Sequence, residues 1–112
     1  MAVNPRALFN AKQAENAETT QYTSAAGVRT IVDKFTATNT TASAATLTVR
    51  LVPSGGAAGA GNTVLSAKSI AAGETYNCPE VVGHVLESGD FISTLAGTAS
   101  AITIRASGRQ VT

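Results

Sequence analysis

Tryptophan is absent from this 112-residue chain, and cysteine and histidine occur once each, as Cys78 and His84. A single cysteine forms no intrachain disulfide, and without a cysteine or histidine cluster there is no ligand spacing for a structural metal. Charged residues make up 13% of the chain, about half the roughly 25% usual in soluble domains. The net charge is only +1, so no strong field steers the chain to nucleic acid or to an anionic membrane, and neither is expected as a partner. No apolar run approaches the length of a membrane span. The opening MAVNPRALFNAKQ has no long apolar segment of the leader type, so synthesis and folding in a cytoplasm are the expected route.

What is present is β-forming and small. Aromatics are 4% of the residues, so the core has to be built from Ala, Val, Leu, Ile and Thr, at a length suited to one domain. From residue 20 onward Thr, Val and Ile recur between short Gly, Pro and Asn signals, and no long 3.6-residue period appears. The candidate strands are Thr20–Ser24, Val28–Thr38, Ala45–Val52, Thr63–Ser69, Thr75–Cys78, Gly83–Leu86, Asp90–Leu95 and Ala101–Ser107. Alternation is clearest in three of them. Leu47, Val49 and Leu51 are expected inside, with Thr46, Thr48 and Arg50 outside. Ile102, Ile104 and Ala106 alternate with Thr103 and Arg105. Ile31, Asp33, Phe35 and Ala37 share a face, which obliges Asp33 to lie at its edge or to find a partner. Short antiparallel strands at this spacing imply an all-β sandwich or barrel. The lack of a Cys…Trp…Cys pattern favours a jelly-roll-like sandwich over an antibody-type domain.

Residues 1–19 read differently. ALFNAKQAENAE contains helix formers without a full apolar stripe, and Pro5 interrupts its start. The segment is expected to be an arm, extended or briefly helical, outside a sandwich at 20–112. Leu8 and Phe9 would be its anchor.

One stretch invites a nucleotide reading. GAAGAGNT (56–63) has the Gly56 and Gly61 spacing of a phosphate loop, with Thr63 at the hydroxyl position. Asn62, however, stands where the phosphate-neutralising Lys belongs, and no amphipathic helix follows. The expectation is a tip joining two antiparallel strands. Cys78, beside Pro79 and with no base in view, reads as a small buried hydrophobe. Glu74, Glu80, Glu87 and Asp90 stand near Gly or Pro as turn residues. Ser54, Ser88 and Ser107 lack a nucleophile-elbow context. With no catalytic constellation, no enzyme and no cofactor are expected. Arg105 and Arg109 fall on one side of the last strand, four residues apart, and could form a basic strip with Arg50.

The runs GVRTIVDKFTATNTT, LTVRLVPSGG, IAAGETYNCPEVVGHVLESGDFIS and the terminal ITIRASGRQVT resemble small β-sandwich structural proteins of tailed bacteriophages. The resemblance covers about residues 20–112. It implies a capsid decoration or cement protein on the virion surface, or else a head-fibre base or a neck or tail component. Its partners would be the major capsid protein and further copies of itself, as a dimer or trimer. A low-charge, Thr- and Ala-rich surface suits contacts repeated over a lattice. On this reading Pro5, Leu8, Phe9, Arg105 and Arg109 are the candidate partner-binding residues. A module binding carbohydrate or a host surface is the alternative, with only Tyr22 and Tyr76 to stack on a sugar.

The alternation in the last strand carries its own test. Ile104→Ala should cost about 2–5 kcal/mol in urea denaturation, and Thr103→Ala on the opposite face much less. Equal costs would show that the faces are misassigned.

Overall fold

The computed structural model describes residues 2–112. Among the described residues nine strands form two antiparallel sheets: β1 (Val3–Gln13), β2 (Thr19–Thr23), β3 (Arg29–Asn39), β4 (Ala45–Val52), β5 (Thr63–Ile70), β6 (Thr75–Tyr76), β7 (Val85–Leu86), β8 (Phe91–Ala96) and β9 (Ile102–Val111). One sheet runs β1-β9-β3-β6, with β7 also on β3, and the other runs β2-β8-β4-β5. The pairings are nested. First pairs with last (β1·β9), second with next to last (β2·β8), then β3 with β6 and β7, and β4 with β5. A long antiparallel ribbon has been rolled up and closed by β3·β9 and β4·β8, which is the jelly roll expected from strand spacing and turn chemistry.

The core lies between the sheets. Phe35, Leu47, Ile70, Leu86, Ile92, Ile102 and Ile104 are its largest fully enclosed apolar side chains. In β9 the residues Ile102, Ile104 and Ala106 are buried while Arg105 is exposed and Thr103 half-buried, as the alternation requires. In β4 Leu47 and Val49 are buried, but Leu51 is only half-buried, whereas Val52 is fully enclosed.

Polar groups in the interior are tied together. Asn39 donates to the carbonyls of Ser43 and Ile70 at 2.8 and 2.9 Å, and its Oδ1 accepts from the Thr41 amide and hydroxyl. This one side chain pins the β3–β4 turn to the end of β5. Ser24, Thr30, Tyr22 and Gln110 form a second chain of hydrogen bonds. Among the described residues every buried side-chain nitrogen and oxygen has a partner, as a stable interior requires.

Two expectations are corrected. The first concerns the arm. Residues 3–13 are indeed extended, but they form β1, paired along β9 from Val3↔Val111 to Gln13↔Thr103. Leu8 is in the core, and Phe9 meets the ring of Phe35 edge-on at 5.7 Å. The Ala14 amide then donates to the Ile102 carbonyl at 2.8 Å. The structure therefore marks no boundary at 19/20, because β1 is the outermost strand of the roll. Its register breaks between Ala7 and Phe9 and again between Phe9 and Lys12. Those breaks let Leu8 and Phe9 both turn toward the core and erase the alternation that signals a strand.

The second correction concerns β3. A register shift between Val32 and Lys34 makes Val32, Phe35 and Ala37 the buried set, while Asp33 is exposed and Ile31 half-buried. The bulge depends on Gly108, because a Cβ there would stand 2.1 Å from the Ile31 carbonyl oxygen.

If β1 belongs to the roll, its loss should be felt throughout. Leu8→Ala should cost about 2–5 kcal/mol, and removal of residues 1–13 should abolish cooperative thermal unfolding followed by circular dichroism. A truncated chain that still melts cooperatively near the temperature of the full chain would return β1 to the status of an arm.

Candidate functional site

The partner-binding candidates divide between core and surface. Leu8 and Phe9 are spent on packing and are not free to anchor the chain elsewhere. Pro5, Arg105 and Arg109 lie exposed on the outer face of the five-stranded sheet. Arg109 grips Asp33 with two nitrogens, Nε and Nη2 each 3.0 Å from a carboxylate oxygen, the bidentate geometry suited to a guanidinium. Hydrogen bonding to Asp33 raises the Arg109 pKa above its ordinary value. Arg105 stands opposite Thr36. The basic strip with Arg50 does not form, because Arg50 belongs to β4 in the other sheet. There Arg50 pairs with Glu18 and donates from Nε to Thr63 Oγ1 at 2.9 Å and to the Gly59 carbonyl at 3.1 Å. Glu18 also accepts from the Ser93 hydroxyl.

Directly opposed residues in an antiparallel sheet project to the same side, so the register identifies the outer face row by row. Val3, Val111 and Arg29 make one row; Pro5, Arg109, Ile31 and Val85 make the next. Val3 and Val85 are 51% and 48% exposed, and Ile31 and Val111 are half-buried. This apolar end of the sheet is interrupted by two ion pairs, Arg109–Asp33 and Arg29–Glu87, the latter at 2.8 Å. Farther along lie Ser107 and Lys34, then Arg105 and Thr36. The hydrophobic members of this face are not legible in the sequence. Alternation puts Ile31 inside because period two carries no mark of the bulge at Asp33, and the register breaks of β1 hide its strand character. The signal that could have found them is the Ser107-Gly108-Arg109 stretch, where a glycine amid alternating residues suggests close backbone approach.

The glycine-rich stretch turns a corner. It leaves β4 at Val52, closes a short 3-10 turn at Ala60–Asn62 and enters β5 directly. Asn62 serves the turn itself. Its Oδ1 accepts from the Gly59 amide at 3.1 Å, and its Nδ2 donates to the Ala57 carbonyl at 2.9 Å. No helix follows to aim amides at a phosphate.

Beside this turn the two sheets part at their edge. A cleft of about 400 Å³ opens there, with Leu51, Pro53, Val64, Val85 and Leu86 as apolar lining and His84, Asn62 and Asp90 as polar lining. Asp90 is already engaged, accepting from the amides of Ser54 and Glu87 at 2.9 Å each. Farther along the same edge Lys68 closes the gap by reaching over the Tyr76 ring, 4.9 Å from its centre.

The remaining reactive side chains are structural by geometry. Burial, aided by the Glu80 charge, pushes the Cys78 thiol up to about 12, so it is no nucleophile at neutral pH. Tyr76 donates to both carboxylate oxygens of Glu80 at 2.8 and 2.7 Å, and this bond raises its pKa to about 12. Glu74 accepts from the Ala71 amide at 2.8 Å. Among the described residues no three His, Cys, Asp or Glu side chains gather as metal ligands.

Asn62→Ala should loosen the turn, costing about 0.5–1.5 kcal/mol in urea denaturation. ATP titrated to about 1 mM should give no saturable heat with either form. Saturable binding lost in a Gly61→Val variant would restore the phosphate-loop reading.

Compared with family models, with curated proteins and with solved structures, the chain matches none, so its function has to be read from the fold and from this surface.

Proposed function

We propose that this chain is a non-enzymatic structural protein of a tailed-phage virion, bound to the outside of the capsid as a decoration or cement protein. The observation that carries the reading is the nested pairing of the strands. It gives the jelly roll that viral capsid and lectin domains use, and it does so in a chain whose sequence resembles phage β-sandwich proteins. The step from fold to role is an analogy, since one fold serves many functions. The surface chemistry supports it. Ion pairs and turn bonds engage most of the charges, and what remains outside is largely Ala, Gly, Ser and Thr. Such a surface is covered at little desolvation cost.

The lectin-type alternative gains nothing from the tyrosines. Tyr22 is half-buried with its hydroxyl bonded to Thr30 and Gln110, and one face of Tyr76 carries Lys68. Neither offers a free stacking platform for a sugar ring.

A protein that binds the assembled lattice and not its dissociated subunits stabilises the lattice by mass action. At a hundredfold excess over Kd the gain is about 2.7 kcal/mol per site, and an oligomer gripping several subunits gains more through effective concentration. Shells of the parent phage prepared without this protein should therefore resist heating better when it is added back, with the shift saturating at a fixed copy number. The salt dependence should be mild, because few charges are available to be screened. Stoichiometric binding without a shift would make it a passive decoration or fibre base. Absence of binding to shells would move it to the neck or tail.

A further inference from the structure

We infer that the outer face of the five-stranded sheet, where Lys34, Thr36, Arg105 and Ser107 meet, docks an acidic segment of a partner protein, one that presents two carboxylates on the same side of an extended strand. This surface rests on the placement of charge alone and stands whether or not the protein belongs to a virion.

The seven acidic side chains of the chain are all engaged. Glu15, Glu18, Asp33 and Glu87 each hold a Lys or an Arg. Glu80 accepts from the Tyr76 hydroxyl, while Glu74 and Asp90 accept from backbone amides. Of the eight Lys and Arg residues, four belong to those ion pairs. Lys68 lies over the Tyr76 ring, and Arg6 donates to Gln110. Lys34 and Arg105 remain. Both are exposed, and among the described residues neither has an ion-pair or hydrogen-bond partner.

The two cations left over are neighbours. In the β3·β9 ladder Lys34 stands opposite Ser107 and Arg105 opposite Thr36, while Phe35 and Ala106 between them are buried. The four side chains therefore project outward as a square, cations on one diagonal and hydroxyls on the other. Like charges so placed repel, and the face itself offers no relief. Asp33, next to Lys34 in the chain, is gripped by Arg109 through both carboxylate oxygens. An anion seated on the square turns that repulsion into attraction.

Charge and spacing select the occupant. Diagonal neighbours in an antiparallel ladder stand about 7–8 Å apart, and alternate residues of an extended strand are separated by about 7 Å. Asp or Glu at positions i and i+2 of a partner strand therefore meets both cations at once. One carboxylate finds in Arg105 a bidentate donor, and the Thr36 and Ser107 hydroxyls can donate to the remaining lone pairs. Two carboxylates neutralise two cations, so covering the square leaves no charge buried alone. A nucleic acid is the poorer match. Its sites are broad stripes of Lys and Arg with aromatic rings for the bases, whereas the residues around this square are Ala7, Thr38 and Thr103.

The test is chromatography of the full chain on an immobilised peptide of alternating glutamate and threonine, loaded at about 20 mM salt, where screening is weak. The chain should be retained, and the double variant Lys34→Gln, Arg105→Gln should elute at less than about half the salt that releases the parent. Arg6→Gln with Lys68→Gln removes the same charge elsewhere and should keep most of the retention. All four side chains are exposed, so both variants should melt like the parent, which circular dichroism checks. A Glu-Glu-Thr-Thr repeat of equal length and charge, which has no i, i+2 glutamates, should hold the chain less well. Equal losses in the two double variants overturn the proposal, because net charge would then explain the binding. So do a parent chain that is not retained, equal retention on the two peptides, and stronger retention on duplex DNA.

Discussion

The carbonyl oxygen of Ile31 occupies space where any side chain at position 108 would have to begin, with only 2.1 Å available to a Cβ. Much of the architecture depends on this close approach. It allows β3 to carry one extra residue against β9 between Val32 and Lys34, and that residue reverses which side chains face the core. Downstream of the bulge, Phe35 and Ala37 point inward and complete the contact with Phe9. Upstream, Ile31 points outward beside Arg109, and the extra residue Asp33 reaches that guanidinium from solvent. A straight β3 in register with β9 throughout would place either Phe35 in water or Asp33 in the core. The first loses about 1.5–3 kcal/mol of apolar burial, and the second buries a carboxylate. The bulge avoids both, and it also creates the apolar outer patch.

The same residue explains how far the sequence was legible. Strand positions are legible in the sequence to within a few residues: β2, β4, β5 and β8 lie close to their expected ranges, although β2 and the β4–β5 pair carry register breaks of their own. Each is flanked by turn residues and carries β-branched side chains. The failures cluster at bulges. Alternation has period two, so one inserted residue inverts every later assignment. Ile31 and Asp33 were therefore linked to Phe35 when they belong to the other face. β1 carries two such breaks and a proline, so it shows no period at all, and its pairing with β9 is set by residues about a hundred positions away. Val52 was missed for a different reason. Leu51 next to it does pack against the core, and Val52 is enclosed on the opposite face by the loop at Gly56 folding back over the strand, which local alternation does not register.

A chain with so few charges needs other protection against aggregation, and the edges of the sheets supply it. Unpaired strand edges invite further strands unless they are short, bent or lacking donors. β6 and β7 have two residues each. β5 kinks at Ala67, whose φ of 43° is left-handed and whose amide is satisfied by Thr48 Oγ1 at 2.9 Å. β2 is five residues long with a register break. β1 is the longest edge, and Pro5 removes an outward donor from it while its bulges bend the rest.

With its edges blunted, the sheets leave their faces as the surfaces open to contact, and the two faces are unequal. On the four-stranded sheet Arg50 is held by Glu18, Thr63 and the Gly59 carbonyl at once, so its charge is committed within the molecule. On the five-stranded sheet the ion pairs are 42–69% exposed and contribute little to folding where they stand, because solvent screens them. A covering partner would strengthen the attraction within each pair while costing the desolvation of its charges, and the valines between them would add apolar area with no charge to desolvate. The side chains that add least to the stability of the isolated fold are thus the ones whose energetic balance a covering partner would change most.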